Sequence, residues 1–144
     1  SQGIQSTSLR IPSPIGVGMS SKTILSVFLQ RARNGETITL RGRGTRRQNY
    51  VDVRDIAQAV LKAIQALQLS ECYDIVARQT VSNTELANLC IRMLDSQSEI
   101  RFEGKDSSDD VDWRADGCLA EKELGFVPQY TLEATIAWMQ SEMR

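Results

Sequence analysis

The sequence predicts an α/β fold of the mixed α+β kind, a small sheet with helices packed on it, and three observations carry that expectation. Short alternating or apolar runs of strand character recur between segments whose apolar residues follow a helical period. The helical segments carry their own start and stop residues, serine or aspartate before them and glycine after them. The chain of 144 residues is 41% apolar and 24% charged, a globular composition of single-domain size, with no internal repeat, low-complexity segment or linker. Residues 1–144 therefore read as one domain.

The first strand is expected at 8–12, an apolar run stopped by Pro12 and Pro14, leading into a Pro/Gly loop that ends at Gly18. So near the N-terminus, this strand presents an edge that invites dimerisation or strand exchange. A helix follows, capped by Ser20 or Ser21, with Ile24, Leu25, Phe28, Leu29 and Ala32 on its apolar face and Asn34-Gly35 as its left-handed stop. Residues 36–40 and 49–53 alternate as strands on either side of a basic, glycine-broken turn. Asp55 is expected to open and cap a second helix, in which Ile56, Val60, Ile64 and Leu67 recur at helical spacing and the run of alanines permits close packing. A strand at 72–76 precedes the capping box Ser82-Asn-Thr-Glu85, in which serine and glutamate each satisfy a free backbone N–H of the other's residue. A short strand at 99–102, an acidic loop from Lys105 to Asp112 and two helices close the chain, one stopped by Gly125 and Pro128 and one started at Thr131.

Composition narrows the chemistry. There is no histidine, which removes the commonest general base and metal ligand. Cys72, Cys90 and Cys118 are odd in number and widely spaced in apolar or amphipathic stretches, so they read as reduced core thiols, not as a disulfide framework or a metal cluster. No apolar run approaches the roughly 20 residues of a membrane helix, and the N-terminus lacks a secretion-signal layout. A soluble, cytoplasmic protein is expected, with no nucleic acid or membrane partner. Charge is divided along the chain: residues 1–54 hold nine Lys/Arg against Glu36 and Asp52, while residues 55–144 hold eight against sixteen Asp/Glu. Such a division suits a small phosphorylated ligand better than a nucleic acid, which the acidic part would repel.

Three segments carry a family resemblance that spans nearly the whole chain. Arg10, Gly16 and Gly18 match an Arg-x-x-Asn-x-Tyr-Gly-Pro-Gly loop, with Ser13 at the asparagine position, Ile15 at the tyrosine and Val17 at the proline. Gly42, Gly44, Tyr50, Val51, Val53 and Asp55 follow a Gly-x-Gly-x-x-x-Arg-Asp-Phe-Val-x-Val-x-Asp pattern, with Gln48 at the arginine and Asn49 at the aspartate. Asp116, Ala120, Leu124, Gly125, Phe126 and Pro128 match an Asp-x-x-Lys-Ala-x-x-x-Leu-Gly-Trp-x-Pro signature. Together they resemble the C-terminal, substrate-binding portion of an extended short-chain dehydrogenase/reductase, the NAD-dependent sugar epimerase and dehydratase family, without its Rossmann cofactor half.

The resemblance implies a sugar-nucleotide or related phosphorylated substrate, NAD or NADP in the parent enzyme, and a homodimeric parent. It implies substrate contacts at Ser13 and Gln48. Either Arg46 or Arg47 could supply the guanidinium lost at position 48, because arginine pairs with phosphate oxygens bidentately; neighbours on a strand face opposite ways, so at most one of the two points inward, and Arg47 is the candidate contact, its alternative being a solvated arginine on an exposed hairpin. Arg114, beside Trp113, is the candidate from the loop before Asp116. No catalytic, cofactor-binding or metal residue is assigned. The family's proton donor is the tyrosine of Tyr-x-x-x-Lys, whereas Tyr50, Tyr73 and Tyr130 are followed four residues on by Arg54, Ala77 and Ala134. Neither Gly-x-Gly pair has the third glycine of a dinucleotide fingerprint, so this chain alone is expected to be inactive and to hold no cofactor. The alternative reading is a non-catalytic binding or regulatory domain of the same fold.

Overall fold

The computed structural model describes residues 6–112 and 115–142 of the chain. In order, the elements are β1 (Ser8–Arg10), β2 (Pro14–Ile15), α1 (Ile24–Asn34), β3 (Ile38–Arg41), β4 (Arg47–Asn49), β5 (Val51–Asp52), α2 (Val53–Gln65), β6 (Cys72–Asp74), β7 (Thr80–Ser82), α3 (Asn83–Met93), β8 (Ile100–Glu103), α4 (Cys118–Leu124) and α5 (Leu132–Glu142). Instead of one small sheet, the described strands form four two-stranded pairs: β1–β6, β2–β5 and β3–β8 are parallel, and β4–β7 is antiparallel. Parallel partners cannot be joined by a hairpin and need a crossover, which is why each is separated in sequence by helices.

Two apolar clusters hold the elements together. One gathers Leu25, Phe28 and Leu29 of α1, Leu86 and Leu89 of α3, and Ile136 and Met139 of α5 around Ile15, Ile38 and Leu40. The other packs Ala59 and Ala63 of α2 against Val51, Tyr73, Ile75, Ala120, Leu124 and Phe126. Local signals account for most helix ends. Gly35 (φ 67°) and Gly125 (φ 61°) take the left-handed conformation that terminates α1 and α4. The capping box of α3 forms as read: Ser82 N–H donates to Glu85 Oε2 at 2.6 Å, and Glu85 N–H donates to Ser82 Oγ at 3.1 Å. Thr131 Oγ1 accepts from Ala134 N–H at 3.2 Å at the start of α5.

Several expectations are corrected. The cap of α1 is Thr23, whose Oγ1 accepts from Ser26 N–H at 3.3 Å, while Ser20 serves the preceding turn by accepting from Lys22 N–H. The strand expected at 49–53 breaks at Tyr50, and Val53 is already the first residue of α2, because Asp52 caps that helix by accepting from Arg54 N–H at 2.7 Å. Asp55 lies in the first turn and reaches away to accept from Gln129 and Tyr130 N–H at 3.0 and 3.1 Å. The second helix also ends earlier than expected, at Gln65. Ala59 and Ala63 pack inward and Ile56 only partly, whereas Val60, Leu61 and Ile64 on the helix, and Leu67 just beyond it, are 40%, 50%, 76% and 93% exposed. Among the cysteines only Cys90 is buried; Cys72 is half-buried, and Cys118, at the exposed start of α4, faces solvent.

Candidate substrate-binding site

The parallel pairing of β2 with β5 sets Pro14 against Val51, and Val51 N–H donates to Ser13 O at 2.8 Å. This register lays the Pro/Gly loop beside β4, and Gln48 Nε2 donates to Ser13 Oγ. Two of the four sequence-predicted site residues are thus joined across 35 positions. Both remain half-buried, with their polar ends at one another.

Arg47 projects from the other face of β4. Its Nη2 donates to Thr80 O at 2.7 Å and its Nη1 pairs with Glu85 Oε2 at 3.1 Å, so its guanidinium ties β4 to β7 and to the cap of α3. Arg114 lies outside the described residues. Arg46 stands on the Gln48 side of the alternation, and its Nε is buried with no hydrogen-bond partner. Close by is Tyr50, whose buried hydroxyl also has none; burial pushes that phenol up to about 12, with the Arg46 charge opposing. Such a phenol is a poor proton acceptor at neutral pH.

Asn49, at the family's aspartate position, works on the backbone. Its Nδ2 donates to Ala77 O and Gln79 O at 2.9 and 3.2 Å, and its Oδ1 accepts from Ala77 N–H at 2.8 Å. A neutral amide can give and receive in this way, which a carboxylate cannot. Of the other tyrosines, Tyr73 donates to Glu123 Oε2 at 2.8 Å, and the Tyr130 ring lies 3.7 Å beneath the Arg54 guanidinium.

Behind the site lies a polar knot that the sequence does not announce. Asp52, 2% exposed, accepts from Arg54 Nε and Nη2 at 2.9 and 2.7 Å and from Thr135 Oγ1 at 2.6 Å. Burial alone would push the Asp52 carboxyl up, but the hydrogen bonds from Arg54 and Thr135 outweigh it and hold the group below the usual carboxylate range. The only local hint is the spacing Asp52-x-Arg54, since Thr135 comes from the far end of the chain. Arg54 is sandwiched by Tyr130 and by Trp138, 4.0 Å away. Gly16 fits beneath this knot because a Cβ there would stand 2.4 Å from Val53 Cγ2 and 3.3 Å from Trp138 Cζ3. Gly16 is therefore needed for close packing and does not open a helix as a dinucleotide cradle requires. Arg10, too, is structural: its Nη2 donates to Asp74 at 2.7 Å across the β1–β6 pair and holds the Asp74 carboxyl below its usual range.

Two hollows flank the joined loop and strand. One of about 540 Å³ is lined by residues 16–19, Leu29, Arg33 and Met139, and the other, about 320 Å³, by Tyr50, Arg78, Gln79 and Tyr130. Among the described residues, no three His, Cys, Asp or Glu side chains converge to hold a metal ion, and no helix is long and apolar enough to cross a membrane.

A Pro/Gly loop laid against the strand that follows a glycine-broken basic turn, with helices on parallel strand pairs, defines a mixed α/β fold. The model of the NAD dependent epimerase/dehydratase family matches residues 1–76, over half of the chain, and the chain belongs to that family. Low-salt glycan biosynthesis protein Agl12 of Haloferax volcanii is 26% identical over 111 residues, which cover 76% of this chain and 36% of that protein. The structure of UDP-glucose 4-epimerase from Thermotoga maritima, solved with UDP-glucose, superposes with a TM-score of 0.84 at 21% identity over 96% of this chain and 47% of its own. The dTDP-glucose 4,6-dehydratase DesIV of Streptomyces venezuelae, solved with NAD and TYD, gives 0.79 at 22% identity over 92% and 43%. UDP-glucuronic acid 4-epimerase of Bacillus cereus, solved with UDP-glucuronic acid and NAD, gives 0.81 at 14% identity over 94% and 45%. The chain spans less than half the length of each, and its fold is that of the C-terminal part of such epimerases.

Proposed function

We propose that this chain is the substrate-recognition part of an NAD(P)-dependent sugar-nucleotide epimerase or dehydratase. The observation that carries the reading is the Gln48–Ser13 contact, which brings the two positions of expected substrate contact into one site. Its share of catalysis is positional: holding the nucleotide so that the sugar meets the redox machinery contributes through orientation and not through proton transfer. Arg47 and Arg114 are the further proposed contacts; Arg47 leaves the opposite face of β4 from Gln48, and would take a phosphate there in exchange for Glu85.

The cofactor, bound by a separate Rossmann half, supplies transient oxidation of a ring hydroxyl. That half has a surface to dock on. Among the described residues β1 pairs only with β6, and Ile64 on the outer face of α2 and Leu67 just beyond the helix are exposed. A parallel strand beside β1 and an apolar helix over α2 would cover both.

The test is turnover by this chain joined to its cofactor half. Nucleotide-sugar epimerisation or dehydration is expected, with Gln48→Ala raising KM and leaving kcat nearly unchanged, as loss of uniform binding does. A joined protein that binds UDP-sugars and turns none over would instead support the non-catalytic reading.

A further inference from the structure

We propose that the acidic loop 105–112 is a tethered counter-anion that closes the basic turn 42–47 to diphosphate ligands, so that binding there requires its displacement. The proposal deepens the sugar-nucleotide reading above, taking the diphosphate of such a substrate as the ligand, and rests on it.

The parallel pairing of β3 with β8 explains why the two segments meet. Their last register pair is Arg41 with Glu103, and both strands then turn, at Gly42 (φ 62°) and Gly104 (φ 63°), from the same end of the ribbon. One turn carries Arg43, Arg46 and Arg47, and the other Asp106, Asp109, Asp110 and Asp112.

The contacts are those a diphosphate would make. Asp109 Oδ2 accepts from the Arg43 backbone N–H at 2.8 Å, and the Arg43 guanidinium pairs with the Asp110 carboxylate. Thr45 Oγ1 lies 3.4 Å from Asp109 Oδ1 and 3.3 Å from Asp110 Oδ1, and it accepts from Asp110 N–H at 3.2 Å. Arg47 N–H donates to Val111 O at 3.0 Å, which brings the loop within one residue of Gln48. A Cβ on Gly42 would stand 2.1 Å from Asp109 Oδ2, so the carboxylate sits directly on the turn's backbone.

Ion pairs and a few hydrogen bonds hold this loop, with no apolar burial, and only the Asp109 side chain among the paired groups is largely covered, at 13% exposed. None of residues 105–112 is buried, and Arg43 and Asp110 are 66% and 67% exposed. Exposed pairs of this kind are individually weak and screened by salt. Asp110 is also held at φ 68°, a backbone region that non-glycine residues rarely occupy and that release of the loop would relax.

The experiment is calorimetric titration of the 144-residue chain with UDP at low and high sodium chloride. The variant D109N/D110N keeps the hydrogen-bonding shape of the loop and removes its charge. It is expected to bind UDP about three- to tenfold more tightly than the natural sequence, the span that two weak surface ion pairs allow. Arg43→Ala should bind more weakly than either. D110N alone, altered only at an exposed side chain, should tighten binding about two- to threefold and guards against loss of fold in the double variant. Unchanged or weaker affinity in both aspartate variants would overturn the proposal, as would absence of UDP binding throughout. Turnover of nucleotide sugars by the joined protein decides the functional reading separately, so that reading can survive this result.

Discussion

The two ends of α2 are treated in opposite ways. At its start every charge is matched inside the chain: Asp52 holds Arg54 and Thr135, and Asp55 collects the backbone N–H groups of Gln129 and Tyr130. Towards its finish the outer face shows Leu61 and Ile64 largely to solvent, followed by Leu67 just past the helix end. A buried charge without a partner is severely destabilising, so a chain must settle its charges internally, whereas an apolar face can be left for another body to cover. The difference separates what this chain needs in order to fold from what it offers for assembly.

The comparison breaks most readily at Asp52. Asp52→Ala removes a helix cap, two hydrogen-bonded guanidinium contacts and the Thr135 hydroxyl contact at once, and should cost about 3 kcal/mol in urea unfolding, the scale of a broken buried pair. A loss within about 0.5 kcal/mol would mean that the knot is not the anchor of α2.

Acid tests the same end through titration. Asp52 and Asp74 are both held below the usual carboxylate range in the folded chain, Asp52 by Arg54 and Thr135 against the cost of burial, and Asp74 by Arg10. A depressed folded value means that the native state gives up protons the unfolded state keeps. Their stabilisation is therefore complete above the unfolded value of about 4 and is lost as pH falls through the depressed folded values. The urea midpoint should be flat near neutrality and fall below about pH 4, less steeply in Asp52→Ala.

The smallest effect belongs to the other end of the helix. Ile64→Ser with Leu67→Ser should change the stability of this chain by less than about 0.5 kcal/mol, since neither side chain leaves water on folding. In the protein joined to its cofactor half the same pair should destabilise measurably. Equal behaviour in the two settings would remove α2 as the docking face.

This contrast also explains what the sequence could and could not disclose. Helix ends written in neighbouring residues, such as Ser82 with Glu85, Gly35 and Gly125, were legible because their partners lie within a few positions. The cap at Thr23 was harder, because Ser20 and Ser21 offer the same chemistry three and two residues earlier. The facing of α2 was ambiguous in principle: Ile56, Val60, Ile64 and Leu67 make one periodic stripe and Ala59, Ala63 and Ala66 another. Periodicity shows that a stripe is apolar, not whether this chain or another covers it. For the site, the resemblance pointed to Ser13 and Gln48, while their mutual hydrogen bond depends on β2–β5 register, and the Arg43 pairing with the acidic loop on β3–β8 register. Neither register is written locally.

The measurement that bears most directly on the central claim is parallel calorimetric titration of the 144-residue chain with UDP-glucose and with NAD. Recognition without redox chemistry predicts heat from UDP-glucose, with affinity weakened in Gln48→Ala, and none from NAD. A stoichiometric NAD complex, or UDP-glucose binding that ignores Gln48→Ala, would contradict it.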